Sequence, residues 1–332
     1  MSGPISTRRI GDGHSNLTYL VTDGTDTVVV RRPPPPPIPP GANDMLREAR
    51  IMSALSTTDV PVPRVLATAG EGEVIDVPLY VMTFAKGPVV TTETPHSLST
   101  TQTRREIGLA MADTLAALHD VDWHAIGLGD LGRPEGFNAR HVSRMRRLVA
   151  DAREMRRPSS PTSTTGSWLT RRPNPVRPWC TVTSGSATWY SSRTHRAASR
   201  PCSTGNCAPS RPLLDVGYLA ATIPEPGHDP NPTAALGTAM LEAGFPTRAE
   251  LLERYADRSG RDLSTLAWYT TLALWKLAVL YEYSRRRVLN GIGDPYYADP
   301  SLVTAFLADA RRAAGLSGTT GLHAGASDSR RT

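Results

Sequence analysis

The side chains best suited to hold a metal or act as nucleophiles are few in this chain and poorly grouped. His119 and His124 each lack a ligand-type residue four positions on, the spacing that would put two ligands on one helix face. Each therefore reads as a packed or surface histidine. Cys202 and Cys207 are two thiols without nearby histidine or aspartate, which is weak support for a metal site. More telling is where the acids stop. From position 155 through 214 no aspartate or glutamate occurs. Hydroxyls such as those of Thr183 and Ser184 do not replace them, because an alcohol is no general base and brings no negative charge to a metal.

That window is foreign to the rest of the chain. Positions 155–211 hold nine arginines, no lysine and all three cysteines (Cys180, Cys202 and Cys207), so they carry +9 of a 332-residue chain whose net charge is +6. The remainder is mildly acidic, at −3. Leu169 is the only Leu, Ile, Phe or Met between Arg156 and Arg211, so no core-facing period exists there. A Ser/Arg/Pro/Thr mixture of this kind buries too little surface to offset its ordering entropy, and the segment is expected to be disordered or poorly packed. Elsewhere the composition, 39% hydrophobic and 20% charged, is ordinary for a soluble protein. The first sixteen residues contain no apolar run of the secretory kind. The longest apolar stretch, 266–281, is too short to span a bilayer and carries Lys276, so it reads as a buried helix. A cytoplasmic protein is expected, in which the cysteines form no disulfide framework.

The flanks show clear periodicity. Around a glycine-containing turn at 11–16, alternation at Leu17, Tyr19 and Val21 predicts a strand, and Asp23-Gly24 a turn into a second strand at 28–30. Five prolines, 33–37, enforce an extended connection. Asn43 or Asp44 can then cap a helix whose core positions are Met45, Ile51, Met52 and Leu55. A further strand is expected at 77–87. Beyond it the chain turns helical: Ile107, Met111, Leu115 and Leu118 form one stripe, and 137–154 reads as a basic helix. Thr247 and Glu250 form a capping box, and a long helix ends at Asn290-Gly291 with Arg285 to Arg287 near its negative pole. From about 316 the chain is polar and Gly/Ser-rich, a tail expected to fray.

A sheet-rich lobe, a hinge strand and a helical lobe form the layout of protein-kinase-like phosphotransferases. The stretches "GDGHSNLTYLVTD", "VVVRRPP", "DMLREARIMSAL", "PLYVMTFAKG", "GLGDLGRPEGF", "PLLDVGYLA" and "WKLAVLYEYSRRRVLNG" closely resemble the aminoglycoside-phosphotransferase-like family. The similarity is to its bacterial branch related to the kinase-like domain fused to acyl-CoA dehydrogenases. The resemblance implies an α+β, two-lobed kinase-like fold, with a nucleotide-binding N-lobe at 1–86 and a substrate-binding helical C-lobe at 87–332. It implies ATP and Mg²⁺ as cofactors and a small-molecule acceptor as partner, with neither nucleic acid nor membrane, and it sets no oligomeric state. Gly11, Gly13, His14, Ser15 and Asn16 would turn over the phosphates with backbone N–H donors. Arg31 would grip the α- and β-phosphates where kinases carry a lysine, keeping the charge and adding a fork, and Glu48 would orient it. Met82, Thr83 and Phe84 would line the adenine cleft. Without the resemblance these residues read as a hairpin turn, a surface Arg with a solvated Glu, and a core strand.

The family also requires H-G-D-x-x-x-x-N, whose Asp takes the hydroxyl proton and whose Asn binds Mg²⁺, and D-W-E, whose Asp binds the metal. Both belong in the acid-free window, near Thr183 and Thr188 for the first, and neither is present. The catalytic and metal-ligand sets of the chain as written are therefore empty. Read one base back, however, "CTVTSGSATWY" permits V-H-G-D-F-R-L-G-N-V-V and "PCSTGNCAPS" permits V-L-D-W-E-L-C-A-L. Two catalytic motifs in the right order point to translation of 155–211 out of frame between compensating indels. The frame returns by Pro212, and Asp215 would brace a catalytic loop that is no longer there. The expected function is transfer of the ATP γ-phosphate to a small-molecule hydroxyl, with a hydroxyacyl thioester or an aminoglycoside as acceptor, by a family whose member here is inactive. The alternative is a pseudokinase that retains nucleotide or partner binding. Nucleic-acid binding would need aromatics interleaved with the basic residues, and only Trp168, Trp179, Trp189 and Tyr190 qualify.

Overall fold

The computed structural model describes residues 3–10, 16–34, 43–131, 135–150 and 212–316, with the backbone of four short strands between 179 and 210. The N-terminal third forms an antiparallel five-stranded sheet in the order β1-β2-β3-β5-β4, with one helix against it. Its strands are β1 (Ser6–Arg9), β2 (Leu17–Thr22), β3 (Thr27–Arg32), β4 (Val65–Ala69) and β5 (Leu79–Thr83), and its helix is α1 (Met45–Leu55). The β2–β3 hairpin closes at the predicted turn. Gly24 takes φ +91°, and the Asp23 carboxylate accepts the amides of Thr25 and Asp26. Asp44, rather than Asn43, caps α1 by accepting from the Arg47 amide.

Helix α1 faces two cores at once. Met45, Ala49 and Met52 pack with Val29, Tyr80 and Met82 of the sheet. Ile51 and Leu55, on the opposite flank, belong to the helical core with Met111, Leu115 and Leu118 of α2 (Thr101–Asp120). Polar ties reinforce the second contact. Arg50 makes a bidentate pair with Asp130 at 2.7 and 2.9 Å and donates to the Gly127 carbonyl, while Arg47 donates to the Leu131 carbonyl.

The helical part consists of α2, α3 (Phe137–Val149), α4 (Pro212–Thr222), α5 (Arg248–Ser259), α6 (Leu266–Leu289) and α7 (Ser301–Ala313). Helix α6 is the spine against which α3, α4 and α7 pack. It crosses α4 so closely that a Cβ built on Gly217 would lie 2.6 Å from the Tyr269 carbonyl carbon. The Thr247–Glu250 capping box is present with both reciprocal bonds, and Gly260 ends α5 at φ +63°. A short strand, β6 (Val89–Val90), is stitched to the turn at Ala234–Leu241, where the Ala239 amide donates to the Thr91 carbonyl.

Three boundaries differ from expectation. Helix α3 ends at Val149, with Ala150 extended (ψ 132°), instead of running on to 154 as predicted. The strand predicted at 77–87 is regular only over Leu79–Thr83. Helix α7 and strands β1, β4 and β6 were not foreseen. The expectations for 155–211 and for the tail lie outside the described residues, apart from three backbone pairings. Trp179–Cys180 pairs with Pro209–Ser210, and Trp189–Ser191 pairs with both Val89–Val90 and Ala197–Ser199.

Candidate functional site: a buried ion pair and the hinge strand

Strand alternation decides where Arg31 goes. It lies two residues from Val29 on β3, so the period of two puts both on the core face of the sheet. Arg31 is only 4% exposed and Glu48 on α1 likewise 4%. Their charges meet at 3.1 Å, Arg31 Nε to Glu48 Oε2, off the hydrogen-bonding axis. Two further donors converge on the carboxylate. The Tyr80 hydroxyl donates to Oε2 at 3.2 Å, and the Asn16 side-chain amide donates to Oε1 at 3.4 Å. Even so, burial dominates: it pushes the Glu48 carboxyl up to about 7, against the opposing pull of Arg31, Tyr80 and Asn16. Three residues predicted for the site, Asn16, Arg31 and Glu48, are thus one cluster. Gly11, Gly13, His14 and Ser15 lie outside the described residues, between Ile10, whose amide donates to the Thr18 carbonyl, and Asn16.

The hinge strand continues the same sheet. Met82 pairs with Val29 across the β3–β5 ladder and is buried, and Phe84 packs on the sheet core. Thr83 is engaged elsewhere. Its amide donates to the Arg64 carbonyl and its hydroxyl accepts from the Arg64 amide, at 2.9 and 3.0 Å. Tyr80 is the residue that sequence reasoning missed. Its signal is the alternation Tyr80–Met82, which places it on the buried face directly opposite Arg31.

In the helical part, Asp215 stands in the first turn of α4 and is buried. Its Oδ2 lies 3.3 Å from His119 Nε2, and His119 Nδ1 lies 2.7 Å from the Tyr255 hydroxyl. A carboxylate only accepts, so Nε2 carries the proton and Nδ1 accepts from Tyr255. His119 is fully buried and His124 exposed, the packed and surface alternatives respectively. No group of three or more His, Cys, Asp or Glu that could hold a metal occurs among the described residues.

The family model described as "Phosphotransferase enzyme family" matches residues 6–174, half of the chain. The chain belongs to that family. The chain is also 27% identical over 286 residues to rat acyl-CoA dehydrogenase family member 11, a match covering 84% of the chain but 36% of that relative. Against mouse acyl-CoA dehydrogenase family member 10 it is 32% identical over 142 residues, covering 42% of the chain and 13% of the relative. The chain therefore spans about a third or less of the length of these curated relatives. Its fold is that of a Ralstonia eutropha protein assigned as an aminoglycoside phosphotransferase, at TM-score 0.67 and 23% identity over 94% of both chains. The two-lobed arrangement of a β-rich N-lobe and a helical C-lobe is thus that of the family. No helix among the described residues is long and apolar enough to cross a membrane.

Proposed function

We propose that this phosphotransferase uses the Arg31–Glu48 pair to hold the phosphates of a nucleotide, and that the polypeptide as written binds without transferring. The observation that carries this is the buried pair itself. Glu48 engages Arg31 through Nε, and no described residue hydrogen-bonds the terminal guanidinium nitrogens. That leaves a fork, fixed from behind, for phosphate oxygens. A solved neighbour of the same fold, a thermostable mutant of aminoglycoside phosphotransferase APH(4)-Ia at TM-score 0.54, is a ternary complex with ADP and hygromycin B, which supports a nucleotide between the lobes. Since Thr83 has its amide committed to Arg64, the base would be met by the backbone just after it, at Phe84 or Ala85.

ATP would supply the phosphoryl group, and Arg31, oriented by Glu48, would neutralise part of its charge. The donor set does not fit Mg²⁺. Oxygen ligands with negative charge are needed, yet 155–214 contains no acid and the described residues no suitable cluster. Nor does any residue there supply a general base for an acceptor hydroxyl. The family match ends at 174, inside the acid-free window and ahead of "CTVTSGSATWY". The acceptor of the intact lineage is a small-molecule alcohol, a hydroxyacyl thioester being favoured by the acyl-CoA-dehydrogenase relatives.

Calorimetric titration with ADP tests the nucleotide site: binding is expected, and Arg31→Ala should weaken it at least tenfold. Sequencing the gene across the codons for Ala150 to Gly217 tests the frame, and DNA without the one-base-shifted motifs would sink the frameshift.

A further inference from the structure

The Glu48 carboxylate is held in an unusual way for the partner of an arginine. Arginine and carboxylate commonly pair fork to fork, with both carboxylate oxygens on two guanidinium nitrogens. Here the closest approach is at Nε, 3.1 Å from Oε2, and no described residue hydrogen-bonds the terminal nitrogens. Both oxygens of Glu48 are engaged by other donors. The Tyr80 hydroxyl donates to Oε2 at 3.2 Å, and the Asn16 side-chain amide donates to Oε1 at 3.4 Å.

Of these supports Tyr80 is the nearer and the stiffer. It is fully buried, packed in the sheet core with Val29, Met45, Ala49, Met52 and Met82. It stands directly opposite Arg31 in the β3–β5 ladder, so both side chains leave one face of the sheet toward α1. A close-packed ring fixes the place of its hydroxyl, whereas Arg31 and Glu48 reach each other through several rotatable bonds. The hydroxyl is the fixed point, and the carboxylate adjusts to it. Charge follows the same contact. Burial and the Asp44 carboxylate favour the neutral acid of Glu48, while Arg31, Tyr80 and Asn16 favour the ion. A hydroxyl donates more strongly to a carboxylate than to a neutral carboxyl.

We propose that Tyr80 is a positioning residue of the nucleotide site: its hydroxyl keeps the Glu48 carboxylate at Arg31 Nε and leaves the two terminal guanidinium nitrogens to phosphate oxygens. Without that hydroxyl the carboxylate slides onto the terminal nitrogens and competes with the phosphates. The inference rests on the nucleotide reading above and assigns a role to a residue that acts through Glu48.

The test compares the full chain with Tyr80→Phe, which removes one oxygen and keeps the ring, in calorimetric titrations with ADP and with adenosine. ADP affinity should fall about tenfold, the worth of a hydrogen bond to a charged group. Adenosine, which has no phosphate, should bind both proteins equally. Unchanged ADP affinity, or a parallel loss for adenosine, would overturn the proposal. Urea unfolding without nucleotide gives a second readout. The Glu48 carboxyl, pushed up to about 7, is ionised at pH 8 and protonated at pH 5.5. Tyr80→Phe should therefore lower the urea midpoint more at pH 8, and an equal loss at both would show that the hydroxyl serves packing alone. Should Tyr80→Phe not fold, 3-fluorotyrosine placed at position 80 keeps the shape with a more acidic, stronger donor. It should shift stability the other way, toward pH 8, and no shift would count against the proposal. A full chain that binds no ADP would overturn the nucleotide reading and this inference with it. ADP binding that Tyr80→Phe leaves intact would overturn the inference alone.

Discussion

At the scale of single residues, the chemistry turns on how expensive it is to keep Glu48 charged. Its carboxyl moves from the ordinary 4.5 to about 7 because burial outweighs its three donors. Between those values the folded chain binds a proton that the unfolded chain does not, so this group's contribution is complete below 4.5 and is lost as pH rises through 7. Glu48→Gln should therefore flatten the decline in stability between pH 5 and 8, as read by urea unfolding at both ends. Arg31→Met should cost more at pH 8 than at pH 5.5, where the carboxyl left behind can take up a proton. The pairing was legible only through the family resemblance, because a charged residue on a strand and another on a helix read by themselves as a surface Arg and a solvated Glu. Tyr80 was not legible, since an aromatic in a core strand announces burial and gives no hint of what its hydroxyl touches.

At the scale of elements, local chemistry and packing agree in most places and conflict in one. Thr247 accepts from the Glu250 amide, and Glu250 returns the bond to Thr247. Thr247→Ala should cost about 1 kcal/mol in chemical denaturation. Gly217 is the conflict. In mid-helix, alanine should gain about 1 kcal/mol by propensity, yet its Cβ would sit 2.6 Å from the backbone of Tyr269. Overpacking of about 1–3 kcal/mol should win, so Gly217→Ala is expected to lower the melting temperature; a rise would show that α4 and α6 can part cheaply. Elements with long periods or explicit caps (α1, α2, α5 and α6) could be read from the sequence. Helix α7 could have been found from Val303, Phe306 and Ala310, whose spacing packs them on α6. Strands β1 and β6 could not, for they are short and take their order from neighbours: β1 from β2, and β6 from Trp189–Ser191.

At the scale of the whole molecule, two lobes with the fold of the phosphotransferase family flank a segment whose composition belongs to neither. The fold was readable because the motifs that define it lie outside 155–211, while the catalytic part was not, because its acids are absent from the chain. Purified protein of confirmed mass should therefore release no phosphate from ATP and label no acceptor, and turnover above background would contradict the proposed loss. A second property follows from α1, which contributes Met45 and Met52 to one core and Ile51 and Leu55 to the other. With Arg47 and Arg50 fastened to the Gly127–Leu131 loop, the covalent link through 84–88 is not what keeps the halves together. A protease site engineered there should yield two fragments that still elute as one species from a sizing column. Expressed apart, the first fragment should behave as an incomplete surface, capturing the second from solution and precipitating without it.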